Sequence, residues 1–377
     1  MHGNKYYNGN IAVQTWTYGN QLNGYICQYD QLNRYKGAYV ILNNAMMDYY
    51  YTESFTYDLQ GNIKTLERWD QQDMMNDLHF TYNGNQITEI TDNGFQPFVY
   101  SSKRYHDNSN TDNDFGYDAN GNMIYDKDRG ISSIRYNVLN LPDTINFENG
   151  NRIIHRYTAL GKKLTTLYHT YIAHLLSPIS KNQPTKLRYA TTGTHYIGNI
   201  EYLINSDHYM RVNNPEGCVL YLSASDPHLV LTTPDHLGNI RESWVYSLDE
   251  PISEGLLQRT QYYPSGLPWN LCTETNFYPY RYNGKEFVEM HGLDEYDSEA
   301  RWYYPAIMRT TTMDPHCEQY YDTSPYVWCG NNPVNNVDLN RLMSPNHITI
   351  MATYYKNYIN KPYSLPYCLK CCKVTIY

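Results

Sequence analysis

The residue types able to do chemistry are few in this chain, and most are badly spaced for it. His236 follows Asp235, which has the make-up of an acid–base pair, but neighbours along a strand project to opposite faces. A turn role is therefore expected for both. Cys368, Cys371 and Cys372 include a C-x-x-C spacing that would supply two zinc thiolates, yet no second pair with matching spacing accompanies it. Neither a metal nor a cofactor is expected. Cys27, Cys218, Cys272, Cys317 and Cys329 are scattered with no short-range disulfide framework. No G-x-x-x-x-G-K, H-E-x-x-H or G-x-S-x-G occurs to suggest phosphate, zinc or acyl chemistry.

What recurs is a turn. Phe55-Thr56-Tyr57-Asp58-Leu59-Gln60-Gly61-Asn62-Ile63 sets alternating aromatics before a polar stretch and then resumes with a β-branched residue, the pattern of a hairpin. Asp58 can accept backbone N–H groups, Gly61 can take the positive φ that closes the loop, and Asn62 tolerates the same region. Tyr117-Asp118-Ala119-Asn120-Gly121-Asn122-Met123 repeats it, with Asp118, Gly121 and Asn122 in the same places, and Tyr82-Asn83-Gly84-Asn85-Gln86-Ile87 shortens it around Gly84. Looser copies begin at Tyr29, Tyr136 and Tyr157, so the unit recurs every ~19 to 35 residues, room for one hairpin. An array of hairpins follows, with Gly61 and Gly121 at positive φ. Each unit is marginal alone and must pair with its neighbours, which leaves open strands at the array's ends unless something covers them.

Composition agrees with a β wall. The chain of 377 residues carries 43 Tyr against 8 Phe and 6 Trp. A tyrosine can bury its ring against a neighbouring strand while its hydroxyl reaches water or a backbone carbonyl, which suits a thin curved sheet. A net charge of -9 gives no basic footprint for nucleic acid or anionic lipid. The apolar stretch 171–179 is too short to cross a bilayer and is broken by His174, Ser177 and Pro178. The start of the chain lacks the basic and apolar regions of a signal peptide, so it is expected either to stay inside or to begin partway through a larger exported protein; the repeats favour the second.

The Tyr-Asp-x-x-Gly-Asn units at Tyr57 and Tyr117 resemble the defining repeat of the RHS/YD-repeat family. A second block, Pro234-Asp235-His236-Leu237-Gly238-Asn239-Ile240-Arg241, Tyr263-Pro264-Ser265-Gly266-Leu267-Pro268, Tyr282-Asn283-Gly284-Lys285-Glu286 and Gly330-Asn331-Asn332-Pro333-Val334-Asn335, looks like successive parts of that family's repeat-associated core domain. The resemblance implies an all-β fold in which tandem hairpins wind into a spiralling, cocoon-like sheet, closed by a core or plug region of short helices and loops. It divides the chain into a partial repeat (1–24), a hairpin array (25–230), a core domain (231–340) and a short variable tail (341–377).

In members that release a C-terminal cargo, the core resembles an aspartic protease that cuts its own chain after a D-P-x-G followed by a large apolar residue. By that resemblance Asp314-Pro315 occupies the catalytic Asp-Pro position, Asp338 begins the cleavage motif, and Arg301 either pairs a carboxylate or orients a catalytic one. Leu339 and Arg341 replace the proline and glycine of the motif, which removes a fixed φ and a permissive residue from the bend. Tyr304, Met308 and Thr310 also depart from the family pattern. About twelve residues after Asp314, where a second catalytic Asp would be sought, stand Tyr326 and Val327, with Asp322 the nearest acid. Asp314 is accordingly expected to cap a turn before Pro315, and the chain to remain uncut.

The expected function is a shell or scaffold fragment of a polymorphic toxin or cell-surface protein, secreted or surface-borne as part of something larger. Its expected partners are upstream repeats or a partner shell chain, a C-terminal cargo, and no nucleic acid. Two other classes compete: a surface module whose tyrosines stack on cell-wall or host glycans, and a self-cleaving aspartyl core. Tyrosines turned inward favour the shell, whereas a linear exposed aromatic track favours glycan binding.

Overall fold

The computed structural model describes residues 6–18, 21–71, 73–95, 103–109, 113–172, 188–205, 210–223, 226–247, 254–269, 278–338 and 375–376. Among them the regular structure is antiparallel β, interrupted by four short 3-10 turns within 282–331. The Cys368, Cys371 and Cys372 cluster, and Leu339, Arg341 and Leu342, lie outside the described residues.

The hairpin array forms two sheets whose strands follow chain order. The first runs Val13–Tyr18, Gln21–Tyr29, Tyr35–Leu42, Glu53–Tyr57, Ile63–Asp70, Asp73–Asn83 and Gln86–Asp92; Ala45–Met47 branches from the third strand, and Thr375–Ile376 pairs with the first. The second is thirteen-stranded and runs in unbroken sequence from Phe115–Tyr117 to Glu254–Arg259. A small third sheet, Glu286–Val288, Glu295–Asp297, Trp302–Tyr304 and Arg309–Thr310, belongs to the segment that follows.

Sequence dictates the turns directly. In the turn 58–62, Asp58 N–H donates to Asn62 O (2.9 Å) and Gly61 N–H donates to Asp58 O (3.2 Å), while Asp58 Oδ1 accepts Asn62 N–H (2.8 Å). Gly61 sits at φ +78°, the left-handed conformation that a Cβ disfavours. The turn 118–122 reproduces these bonds, with Gly121 also at +78°. The looser copies close the same way, two with asparagine in the glycine position, Asn33 at φ 63° and Asn140 at φ 57°, and the third with Gly161 at φ 80°. Gly84 (φ 62°) instead closes a tight turn in which Asn83 pairs with Gln86.

The repeat tyrosine ties each hairpin to the one before. Tyr57 donates its hydroxyl proton to Tyr35 O (2.6 Å), Tyr82 to Ile63 O (2.8 Å), Tyr136 to Met123 O (2.7 Å) and Tyr157 to Pro142 O (3.1 Å). Burial pushes the Tyr57 and Tyr136 phenols well above their ordinary range, which keeps them protonated donors. A second ladder joins the turns through Asn62 to Asn85 (3.0 Å) and Asn122 to Asn140 (3.0 Å).

The repeat tyrosines Tyr57, Tyr82, Tyr117 and Tyr136 turn inward onto packed protein. One hydrophobic cluster unites Tyr25, Phe55, Leu66 and Leu78 of the first sheet, Ile131, Ile145 and Ile153 of the second, and Tyr282, Tyr296, Tyr303 and Trp328 of the C-terminal segment. Residues 262–269 and 278–338 therefore pack against the inner faces of both sheets, with Tyr303 and Trp328 stacked 4.2 Å apart among them.

The three turn glycines meet different surroundings, so they rank. A Cβ on Gly121 would collide with Met313 Sδ and lie 2.9 Å from Tyr326 Oη, one on Gly61 would lie 3.0 Å from Asn331 Nδ2, and one on Gly84 would meet nothing within 4 Å. Valine at each position costs about 1 kcal/mol or more for the backbone alone. The expected order of destabilisation by denaturant titration is Gly121→Val, then Gly61→Val, then Gly84→Val; equal effects at Gly121 and Gly84 would mean that the turn does not press on the segment beneath it.

Candidate functional site

Arg301, Asp314 and Asp338 meet beneath the wall. Arg301 leads into the strand Trp302–Tyr304, and its carbonyl accepts Ser298 N–H (3.0 Å), which fixes the guanidinium's starting point. Thr311 N–H donates to Trp302 O (3.0 Å) and Asp314 N–H to Pro325 O (2.9 Å), so Asp314 is drawn against the same strand. Asp314 Oδ2 lies 3.0 Å from Arg301 Nη1, and Asp338 Oδ2 lies 2.8 Å from Nη2. All three residues are buried, Arg301 to 1% exposure.

The remaining contacts define what each carboxylate is free to do. Asp314 Oδ1 accepts His316 N–H (2.7 Å) across Pro315, the turn cap expected of it. Arg301 Nη1 also donates to Val327 O (3.3 Å). Asp338 Oδ1 is buried with no hydrogen-bond partner among the described residues. Cys329 lies alongside, its thiol pushed well above the ordinary range by burial and then by the nearby Asp338 charge.

One expectation is corrected here. A partner for Asp314 was sought about twelve residues downstream, where Tyr326 and Val327 stand, but the acid that shares its arginine is Asp338, brought back by the 3-10 turn Cys329–Asn331 and the loop after it. Spacing along the chain is no guide when a returning loop supplies the second group. Asp235 and His236 take up the turn role expected of them, with Asp235 Oδ1 accepting Leu237 and Asn239 N–H (2.9 and 3.1 Å), while His236 Nε2 lies 3.3 Å from Val334 O.

The repeat-turn residues and the Arg301 cluster belong to one framework. Arg309 Nη2 donates to Asn62 Oδ1 (2.7 Å), Asn331 Nδ2 to Gly61 O (2.8 Å) and Tyr326 Oη to Gly121 O (2.7 Å). The turns of the wall thus grip the same loops that carry Asp314 and Asp338.

Sequence reasoning missed the buried charges that fasten wall to interior. Arg68 sits between Glu53 (3.3 Å) and Ala306 O (2.9 Å), Arg129 between Asp126 (2.5 Å) and Glu295 (2.6 Å), and Lys163 between Glu286 and Asp297 (2.6 Å each). A signal existed. Glu53 is two residues from Phe55 and Arg68 two from Leu66, so each charge lies in phase with a core residue on an inward face.

No protein-family model matches the sequence, and no curated protein matches it. Solved structures do resemble the fold. The crystal structure of TcdB2-TccC3-Cdc42 superposes with a TM-score of 0.52 at 16% identity, covering 88% of this chain and 18% of that one. The fold is RHS-like. A Photorhabdus luminescens Tc holotoxin pore carrying a TccC3 mutation is also similar, with a TM-score of 0.43 at 13% identity over 87% of this chain and 21% of that one. The chain thus spans about a fifth of the length of the solved chains it matches. At these identities the likeness concerns the RHS-like fold alone.

Two measurements probe the charged interior of this RHS-like fold. Arg301→Gln leaves two buried carboxylates without their cation, and a stability loss of about 3–5 kcal/mol is expected by denaturant titration; a loss below about 1 kcal/mol would mean that the cluster is solvated. His155, buried against Trp302 at 4.8 Å, has its pKa lowered from 6.5 to about 3, by burial first and Lys163 second. The unfolded chain therefore binds a proton that the folded chain refuses, so His155 makes stability fall as pH drops from about 6.5 towards 3. His155→Gln should reduce the difference in denaturation midpoint between about pH 7 and about pH 5.

Proposed function

We propose that this chain is a structural shell segment of an RHS-type toxin or surface protein, which encloses or presents a C-terminal cargo as part of a larger assembly. The observation that carries the reading is the inward tyrosine ladder, in which the repeat hydroxyls are consumed by backbone carbonyls of preceding hairpins. Those rings are then occupied in holding the wall. Among the described residues the exposed tyrosines are few, at Tyr7, Tyr39, Tyr49, Tyr202 and Tyr321, and of these Tyr39 and Tyr49 share one notch, a distribution that favours a shell over a linear glycan-binding track.

Upstream repeats or a partner shell chain are the proposed partners, and a secreted or cell-surface setting the proposed location. The TccC3-containing structures support this reading by likeness of fold. An edge is also available for pairing, because Glu254–Arg259 has only the strand Ile240–Ser247 as its neighbour among the described residues.

Self-cleavage is a second reading, favoured by the convergence of Asp314 and Asp338 on Arg301. We propose that this cluster acts as a clamp and not as a protease. Aspartyl chemistry uses one protonated and one ionised carboxyl placed to share a water, whereas here each carboxylate is engaged by its own arm of one guanidinium.

A single purification tests both readings. Co-expressed with a neighbouring frame rich in Y-D-x-x-G-N units, the chain should copurify as a stoichiometric complex, and intact mass spectrometry from mildly acidic to neutral pH should find it whole. Failure to associate would remove the shell reading. Two fragments meeting at Leu342 and Met343, abolished by Asp314→Asn, would establish a working protease instead.

A further inference from the structure

The first sheet splits on its outer side. Tyr35–Leu42 pairs with Glu53–Tyr57 only at Gly37 with Ser54 and Ala38 with Glu53, because beyond them the short strand Ala45–Met47 takes the same edge, Val40 pairing with Met47 and Leu42 with Ala45. The split opens a notch of about 420 Å³, floored by Gly37, Ala38 and Glu53 and walled by Tyr49, Trp69, Asp48 and Glu67.

Its aromatic corner is held open by the structure beneath it. Tyr49 and Tyr51 adopt φ of 60° and 45°, so two bulky residues separated by Tyr50 occupy the left-handed region within the loop. Tyr51 is pinned from inside, its ring stacked 3.9 Å from Trp269 and its hydroxyl accepting Gln71 Nε2–H (2.8 Å). With Tyr51 fixed inward, Tyr49 is thrown outward, 60% exposed, its ring 4.6 Å from Trp69 and inclined to it by 52°.

Charge selects the ligand. Asp48 and Glu67 are exposed and form no ion pair among the described residues, while the carboxylate of Glu53 on the floor is already consumed by Arg68 and Ser265. Carboxylates accept hydrogen bonds and donate none, and the faces of Trp69 and Tyr49 carry negative potential, so a donor-rich cation with an apolar stem complements both. Gln28, Thr52 and Ser54 also line the notch and offer donors to a neutral sugar, so the preference for a cation rests on the two carboxylates and the aromatic faces.

We propose that this outer notch is a binding site for a protonated alkylamine, such as a lysine side chain, seated against Trp69 and Tyr49 with its ammonium between Asp48 and Glu67. The site is independent of the shell reading, since it faces away from the filled interior.

The test uses the full chain and acetyl-lysine-amide as probe, titrated by calorimetry and by amide chemical shifts, beside its ε-acetylated form and a chitotriose control. Saturable binding of the lysine probe is expected, lost on ε-acetylation, weakened about fivefold by Glu67→Gln and by Asp48→Asn, and weakened at least as much by Trp69→Ala. Each variant is checked for an unchanged thermal midpoint, which the exposure of Asp48 and Glu67 permits and which for the half-buried Trp69 separates lost binding from lost folding. Absence of saturable binding, equal binding of the ε-acetylated probe, or binding of chitotriose indifferent to Asp48→Asn and Glu67→Gln would overturn the assignment.

Discussion

Everything in this molecule depends on the aspartate that closes a five-residue turn. Asp58 and Asp118 each accept the backbone N–H four residues on and the side-chain amide of the same asparagine, Asn62 and Asn122. The bond does more than shape a loop. Side chains alternate faces along a strand, so one residue of slippage at the turn would send a whole hairpin's apolar set to solvent. By fixing the turn, Asp58 holds Phe55 and Ile63 on the inner face, and the next tyrosine hydroxyl then finds its carbonyl. Register propagates from hairpin to hairpin through that hydroxyl.

A wall built this way has an inner face too broad for its own side chains to seal. Residues 262–269 and 278–338 seal it, with clustered aromatic rings and with ion pairs to the wall. Buried ion pairs add little net stability, because desolvation offsets most of their attraction. They do penalise misplacement, since a wall displaced from Arg129 or Lys163 strands a charge in the interior. The clamps therefore specify how wall and interior fit, while apolar burial supplies the driving force.

The wall was legible in the sequence because its rules are local. Tyr57, Asp58, Gly61 and Asn62 announce strand end, acceptor, positive φ and strand restart within six positions, and the turns at 118–122 and 83–86 follow from the same residue types. The interior was less so. Its strands are two or three residues long, its turns are gripped by wall residues more than two hundred positions away, and no period runs through it. Asp314 could be matched by resemblance, but its meeting with Asp338 depends on where the loop after Cys329 is pulled, and Asn331, Asn332 and Asn335 pull it onto Gly61, Asn33 and Tyr29. Such contacts leave no trace in spacing.

That coupling gives the Arg301 cluster its meaning. The loop carrying Asp338 is anchored by side-chain amides to the turns of the first sheet, and the loop carrying Asp314 lies under the turn at Gly121 through Met313 and Tyr326. Arg301 is thus the point at which two separately anchored loops are tied together. A guanidinium suits that duty better than an ammonium, because its two arms engage two carboxylates in fixed directions. Removing either acid would leave the other loop attached to the wall but no longer to its neighbour, so the cluster sets the relation between the two loops and the sheets that anchor them.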